Sequence, residues 1–258
     1  MLQFRILGTL EVMNDEGDCT PTAPKLREVL SLLLVQPNRV VPTEILLEEL
    51  WRGKLPRSAV ATLQTYVYQL RKTLSGGHAA DDCEILVTRP PGYMIRLDRD
   101  HLDAAQFERL VDEGQAALSR DDPQTASRKL HQALALWRER ALADVEPGPR
   151  LAAHVAWLEE SHLSALELRI EADMRLGKHR QLVGELRALA AAHPLHEWYH
   201  LQLMVSLHRS GRRADALDVY QRLRAVVRAE IGLEPSAELR HAQQVILEGS
   251  PFDVLIQT

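Results

Sequence analysis

Apolar and polar residues alternate at the start of the chain, with Leu2, Phe4 and Ile6 on one face and Leu10 and Val12 following. A period of two predicts two or three short antiparallel strands, and Asn14-Asp15-Glu16-Gly17-Asp18 supplies the turn chemistry between them. The period then lengthens. Leu26, Val29, Leu30 and Leu33 fall at i, i+3, i+4 and i+7, an amphipathic helix that Pro37-Asn38 ends. Pro42 suits a first helical position. Ile45, Leu46, Leu50 and Trp51 then predict a second short helix, broken by Arg52-Gly53-Lys54-Leu55-Pro56. A third helix is predicted from about Ser58 to Ser75, with Val60, Leu63, Val67, Leu70 and Leu74 on one face. Its opposite face carries Ser58, Ala61, Thr65, Tyr68, Gln69 and Lys72, flanked by Thr62, Gln64 and Arg71. Gly76-Gly77 is a natural stop, and a polar loop from His78 to Asp82 follows. Ile85 and Val87, then Tyr93, Ile95 and Leu97, alternate around Arg89-Pro90-Pro91-Gly92, which predicts a hairpin whose tip the two prolines stiffen.

From Asp103 onward the pattern is helix after helix. Gly177 and Gly211 close similar turns about 34 residues apart, the tetratricopeptide period. Ala216, Tyr220 and Leu223 sit at i, i+4, i+7, a spacing suited to close packing in a helical hairpin, and Ala126, Leu130 and Ala133 echo it. Pro147-Gly148-Pro149 interrupts the array, and the helix from about Leu151 to Leu176 is unusually long, so the repeat is degenerate. The expected fold class is mainly α: an α+β winged helix-turn-helix over residues 1–98, an all-α tetratricopeptide-like domain of helical hairpins over 99–249, and a tail over 250–258 in which Val254-Leu255-Ile256 has docking potential.

Strands, three helices and a closing hairpin are the winged-helix order, and the major groove of DNA admits one helix. The third helix suits that place because its outer face is polar, short-chained and free of carboxylates, which phosphates would repel. On this reading Thr65 and Ala61 meet thymine methyls, Gln64 or Gln69 pairs with adenine, and Arg71 and Lys72 hold phosphates. Arg89 at the hairpin tip is placed for a neighbouring minor groove or the backbone. The formal net charge of −5 argues against a generally basic coat protein. Local charge modifies that picture: from Trp51 to Ala80 the charged residues are Arg52, Lys54, Arg57, Arg71 and Lys72, with no carboxylate among them.

The run LWRGKLPRSAVATLQTYVYQLRKTL, followed by LVTRPPGYMIRL, resembles the OmpR-type DNA-binding domain of the Streptomyces antibiotic regulatory proteins. The runs KLHQALALWRERALADVEPGP, AAHPLHEWYHLQLMVSLHRSGRRADALDVYQRL and IGLEPSAELRHAQQVIL resemble the bacterial transcriptional activation domain that follows it in that family. The resemblance spans about residues 2–248, and the order of the two halves makes it specific. It implies a transcriptional activator. Such a protein binds promoter DNA at direct repeats near the −35 region as side-by-side protomers. It recruits RNA polymerase and switches on a gene cluster for a secondary metabolite such as an antibiotic. It further implies that the loop carrying Arg52, Lys54 and Arg57 meets the sigma subunit of polymerase. The chain has no G-x-x-x-x-G-K-[ST] phosphate loop, so the likeness is to the short members without an ATPase module, and no receiver domain is expected before residue 2.

Composition adds little that conflicts. The chain has 258 residues, 45% of them hydrophobic and 26% charged, ample for two domains. No apolar run reaches the ~18 residues of a membrane span, and the alternating N-terminus does not read as a signal peptide, so a cytoplasmic, nucleoid-associated protein is expected. Cys19 and Cys83 stand alone, as reduced thiols do. Trp51, Trp137, Trp157 and Trp198 read as core residues. One motif points elsewhere: His196-Glu197-Trp198-Tyr199-His200 is H-E-x-x-H, a zinc hydrolase signature. It opens the helix after Pro194 of the best tetratricopeptide-like unit, and no downstream motif supplies a third ligand. The expectation is therefore no catalytic residue, no metal and no cofactor. A tetratricopeptide-type adaptor that uses its winged helix only for protein contact remains an alternative, and a zinc hydrolase a remote one.

Overall fold

The structure, a computed structural model, describes residues 2–75 and 85–249. The Gly76-Gly77 stop, the polar loop after it, Cys83 and the tail over 250–258 lie outside the described residues. The chain divides into two compact units, 1–169 and 170–258.

The first unit opens on an antiparallel meander of β1 (Gln3–Arg5), β2 (Glu11–Asn14) and β3 (Gly17–Asp18). Phe4 faces Val12 in the register, and both are buried. Three helices follow: α1 (Pro24–Leu34), α2 (Thr43–Trp51) and α3 (Ala59–Leu74). Nearly all of α1 from Leu26 to Leu34 is buried, including positions outside the expected stripe, because α1 is the central helix of the unit. Pro42 does not start α2. It ends a short strand, β4 (Val41–Pro42), that pairs with Gly92. The edge position in the sheet makes this tolerable, since proline there removes no needed donor.

The hairpin consists of β5 (Leu86–Arg89) and β6 (Gly92–Ile95), and the sheet order is β4-β6-β5. Gly92 is required at this crossing: a Cβ there would lie 1.9 Å from the Val41 carbonyl oxygen. The Thr43 backbone N–H and hydroxyl both donate to the Pro91 carbonyl, at 3.1 and 3.0 Å, and so tie the hairpin tip to the start of α2.

The first unit does not end where its strands end. It also takes in α4 (Asp103–Ser119), α5 (Pro123–Leu134) and the first part of α6 (Pro149–Arg175), so the change from strand to helix near 98 is not a packing boundary. The reason lies in buried carboxylates. Asp103 accepts from the backbone N–H of Ile6, Leu7 and Ala104 at 2.8–3.0 Å, which fastens the turn after β1 to the start of α4. Burial nevertheless pushes its carboxyl above the usual range. Glu49 of α2, 2% exposed, accepts from the N–H groups of Arg150 and Leu151 at 3.0 Å and caps the start of α6. An anion at a helix N-terminus satisfies unpaired donors and meets the positive end of the helix dipole. Gly148 makes room for it, since a Cβ there would sit 2.5 Å from the Glu49 carboxyl carbon. Asp144, which is exposed, adds a surface tie: it accepts from Leu10 N–H at 2.9 Å and pairs with Arg27 of α1.

The second unit continues with α7 (His179–Ala192), α8 (Glu197–Arg209), α9 (Arg213–Ile231) and α10 (Ala237–Glu248). Gly177 and Gly211 adopt φ of +75° and +78° at the turns, the left-handed conformation that favours glycine. Ala216, Tyr220 and Leu223 are buried as their spacing predicts, and Leu186, Leu203, Leu207, Leu239 and Ile246 complete the core.

Candidate nucleic-acid interface

Helix α3 has the amphipathic form that the sequence predicts, with one shift. Leu63, Val67, Leu70 and Leu74 are buried, but Val60 is 50% exposed and Ala59 takes the buried place. The stripe runs 59, 63, 67, 70, 74, in steps of one turn, and Val60 lies at its edge. Opposite this stripe, Ser58, Ala61, Gln64, Thr65, Tyr68, Gln69 and Lys72 are all exposed, and Thr62 is half-buried. Tyr68 is 58% exposed. The face is continuous over the helix length, about 24 Å at 1.5 Å per residue. The Thr65 hydroxyl donates to the Ala61 carbonyl at 3.0 Å. Lys72 borders a shallow hollow with Glu16 and Asp18 of the β2–β3 hairpin.

The cations of this region divide into those with a side-chain or backbone partner and those that face solvent. Arg71 belongs to the wing: its Nε donates to the Leu86 carbonyl at 2.9 Å and its Nη2 to the Thr88 hydroxyl at 2.8 Å. Arg52 caps α2 in the left-handed conformation, φ 48°, and its guanidinium donates to Glu146 at 2.7 Å. That pairing raises the Arg52 pKa and holds the Glu146 carboxyl below its usual range. Lys54 and Arg57, on the same loop, are exposed, as are Lys72 and Arg89. Arg89 closes β5 beside the Pro90-Pro91 turn, whose peptide is cis. Sequence reasoning missed the Arg52–Glu146 pair and the Arg71 staple because each partner lies on another element, and no periodicity signals either. It also missed Leu55, 55% exposed, which puts an apolar side chain on the cationic loop.

Glu197 and His196 of the H-E-x-x-H run have structural partners. Both Glu197 oxygens accept from the Ser236 N–H at 3.1 Å, where Ser236 caps α10. His196 stacks on Tyr199 with ring centroids 4.3 Å apart, and burial lowers the His200 pKa. Among the described residues no group of three or more His, Cys, Asp or Glu is arranged to hold a metal, and no helix is long and apolar enough to cross a membrane.

Comparison with known proteins agrees with this architecture. Residues 17–95 match the family described as transcriptional regulatory protein, C terminal, and residues 102–247 match the bacterial transcriptional activator domain. The regulatory protein DnrI of Streptomyces peucetius is 44% identical over 97% of this chain and 93% of its own length. The regulatory protein AfsR of Streptomyces griseus is 36% identical over 95% of this chain, which corresponds to 24% of that longer protein. The solved structure of Mycobacterium tuberculosis EmbR in complex with a low affinity phosphopeptide superposes with a TM-score of 0.90 at 31% identity, covering 98% of this chain and 66% of that one. With a winged helix whose third helix exposes a carboxylate-free polar face, and a bacterial transcriptional activator domain after it in the sequence, the chain is a transcriptional regulator and belongs to the Streptomyces antibiotic regulatory protein family.

Proposed function

We propose that this protein is a sequence-specific transcriptional activator that reads promoter DNA with the outer face of α3. The observation that carries the reading is the division of polar groups. Arg71 is engaged on the wing, whereas Gln64, Thr65, Gln69 and Lys72 face solvent on the side away from the core. Glutamine pairs with the adenine edge, and the Thr65 methyl suits thymine because its hydroxyl proton is held along the helix. Lys72 and Arg89 hold phosphates, and Arg71 acts by fixing the wing that carries Arg89.

Family membership supports binding to direct repeats near the −35 region by two protomers side by side, recruitment of RNA polymerase, and control of a secondary-metabolite cluster from the cytoplasm. Repeats on one DNA face lie about 10–11 bp apart. Footprinting on a natural promoter checks this. Inserting ~5 bp between the repeats turns the second site to the opposite face and abolishes cooperative binding. Undiminished cooperativity on the shifted site contradicts the tandem arrangement.

The loop between α2 and α3 is proposed to meet the polymerase sigma subunit through Lys54 and Arg57, with Arg52 holding the loop to Glu146. Lys54→Glu is expected to keep promoter occupancy and lower single-round transcription with purified polymerase about tenfold, since like charges across an interface repel. A fall in transcription no larger than the fall in occupancy assigns the loop to DNA alone.

A further inference from the structure

Three elements of the first unit enclose a groove of about 810 Å³, within the ~300–1,000 Å³ range of small-molecule sites. One wall is the end of α1 and the connection after it, from Leu34 to Arg39. A second is the start of α4 with the 3-10 turn before it (Arg99–His101). The third is α6, where His154, Trp157 and Leu158 share a face at helical spacing and line the groove together.

The floor is apolar: Leu34, Leu102, Ala104, Ala105 and Leu158 are buried beneath it. Trp157 departs from the sequence expectation that every tryptophan is core, because its indole is 50% exposed into this groove. His154 flanks it edge-on, with ring centroids 6.3 Å apart. Arg39 and Arg99 line the rim. Glu108 pairs with Arg99 at 3.4 Å, and burial pushes its carboxyl up. Among the described residues Arg39 has no ion pair. Two guanidinium groups against one engaged carboxylate leave a net positive charge beside an exposed aromatic face.

We propose that this groove is a binding site for a small planar aromatic anion. The ring system stacks on Trp157 over the apolar floor, and the anionic group pairs with Arg39. An aromatic cation of the same shape meets two guanidinium groups and gains no partner, because Glu108 is already held by Arg99. The site is independent of the DNA-reading face.

The test titrates the full chain with naphthalene-2-carboxylate and, separately, with 2-(aminomethyl)naphthalene, by calorimetry and by quenching of indole fluorescence. The carboxylate is expected to bind saturably at one site per chain, and the ammonium compound at least about tenfold more weakly. Trp157→Ala removes binding. Trp157→Phe retains it by calorimetry and loses the quenching, since the remaining tryptophans lie elsewhere. Arg39→Glu weakens the carboxylate at least about tenfold, and Arg39→Lys largely restores it. Both substituted side chains lie at the surface of the groove, and circular dichroism checks that each of the four variants is folded. Equal binding of the two naphthalene compounds overturns the proposal. So does binding that survives both Trp157→Ala and Arg39→Glu, and so does the absence of saturable binding to the unaltered chain.

Discussion

Two polar regions of the first unit, the outer face of α3 and the joint where α2 meets the start of α6, end in opposite states. At the joint the buried carboxylate Glu49 takes two backbone N–H groups and caps α6, as buried Asp103 gathers three at the start of α4. On α3 the outward amide and ammonium groups of Gln64, Gln69 and Lys72 are exposed on a continuous face. A buried polar group without a partner costs free energy, so burial forces commitment. Exposure leaves a group available to a ligand. The contrast separates polar groups that the fold already uses from those it leaves available, and it places Arg71, held by Leu86 and Thr88, among the former.

The contrast can be broken most forcefully at the joint. Glu49→Ala removes a buried acceptor from two helix-terminal donors and leaves a void beside Gly148. Loss of such a cap with buried donors left unpaired costs about 2–4 kcal/mol. Chemical denaturation is expected to show that loss, with the folded fraction still binding promoter DNA at its original affinity. A stability change below about 1 kcal/mol would mean that water replaces the carboxylate and that the joint is looser than described.

The cations sharpen the comparison with a smaller effect. Lys72→Ala is expected to weaken binding to all sequences alike and to lower the slope of log affinity against log salt by about one. Arg71→Ala loosens the wing and lowers affinity with a smaller change in slope, because its guanidinium is held by Leu86 and Thr88. Equal slope changes for the two variants would assign Arg71 to phosphate and remove the distinction.

The sequence carries periodic information well and pairwise information poorly. The strands, the three helices, the wing and the hairpins after 103 all follow from periods of two and 3.6, and the polar face of α3 is visible for the same reason. Val60 shows the limit of that signal: it fits the stripe by period but lies at the edge, where packing against α1 decides. Pro42 reads as a helix start because the β4–β6 pairing that claims it depends on a strand fifty residues away. Glu49 looks like one more surface charge of an amphipathic helix, and only its position beside Gly148 and the start of α6, about a hundred residues later, explains its burial. The groove at Trp157 assembles from three separated segments and has no linear signature at all.

The claim that the outer face of α3 reads bases is tested most directly by the base preference of its variants. Selection from a library of operators randomised across one repeat, carried out with the unaltered protein and with Gln69→Ala and Thr65→Ala, gives a preference at each position. The account predicts that each substitution relaxes preference at one position per repeat, by about 1–3 kcal/mol for Gln69 and less for Thr65, and leaves the other positions unchanged. Affinity that falls uniformly across the library, or a preference that stays the same in both variants, would contradict it.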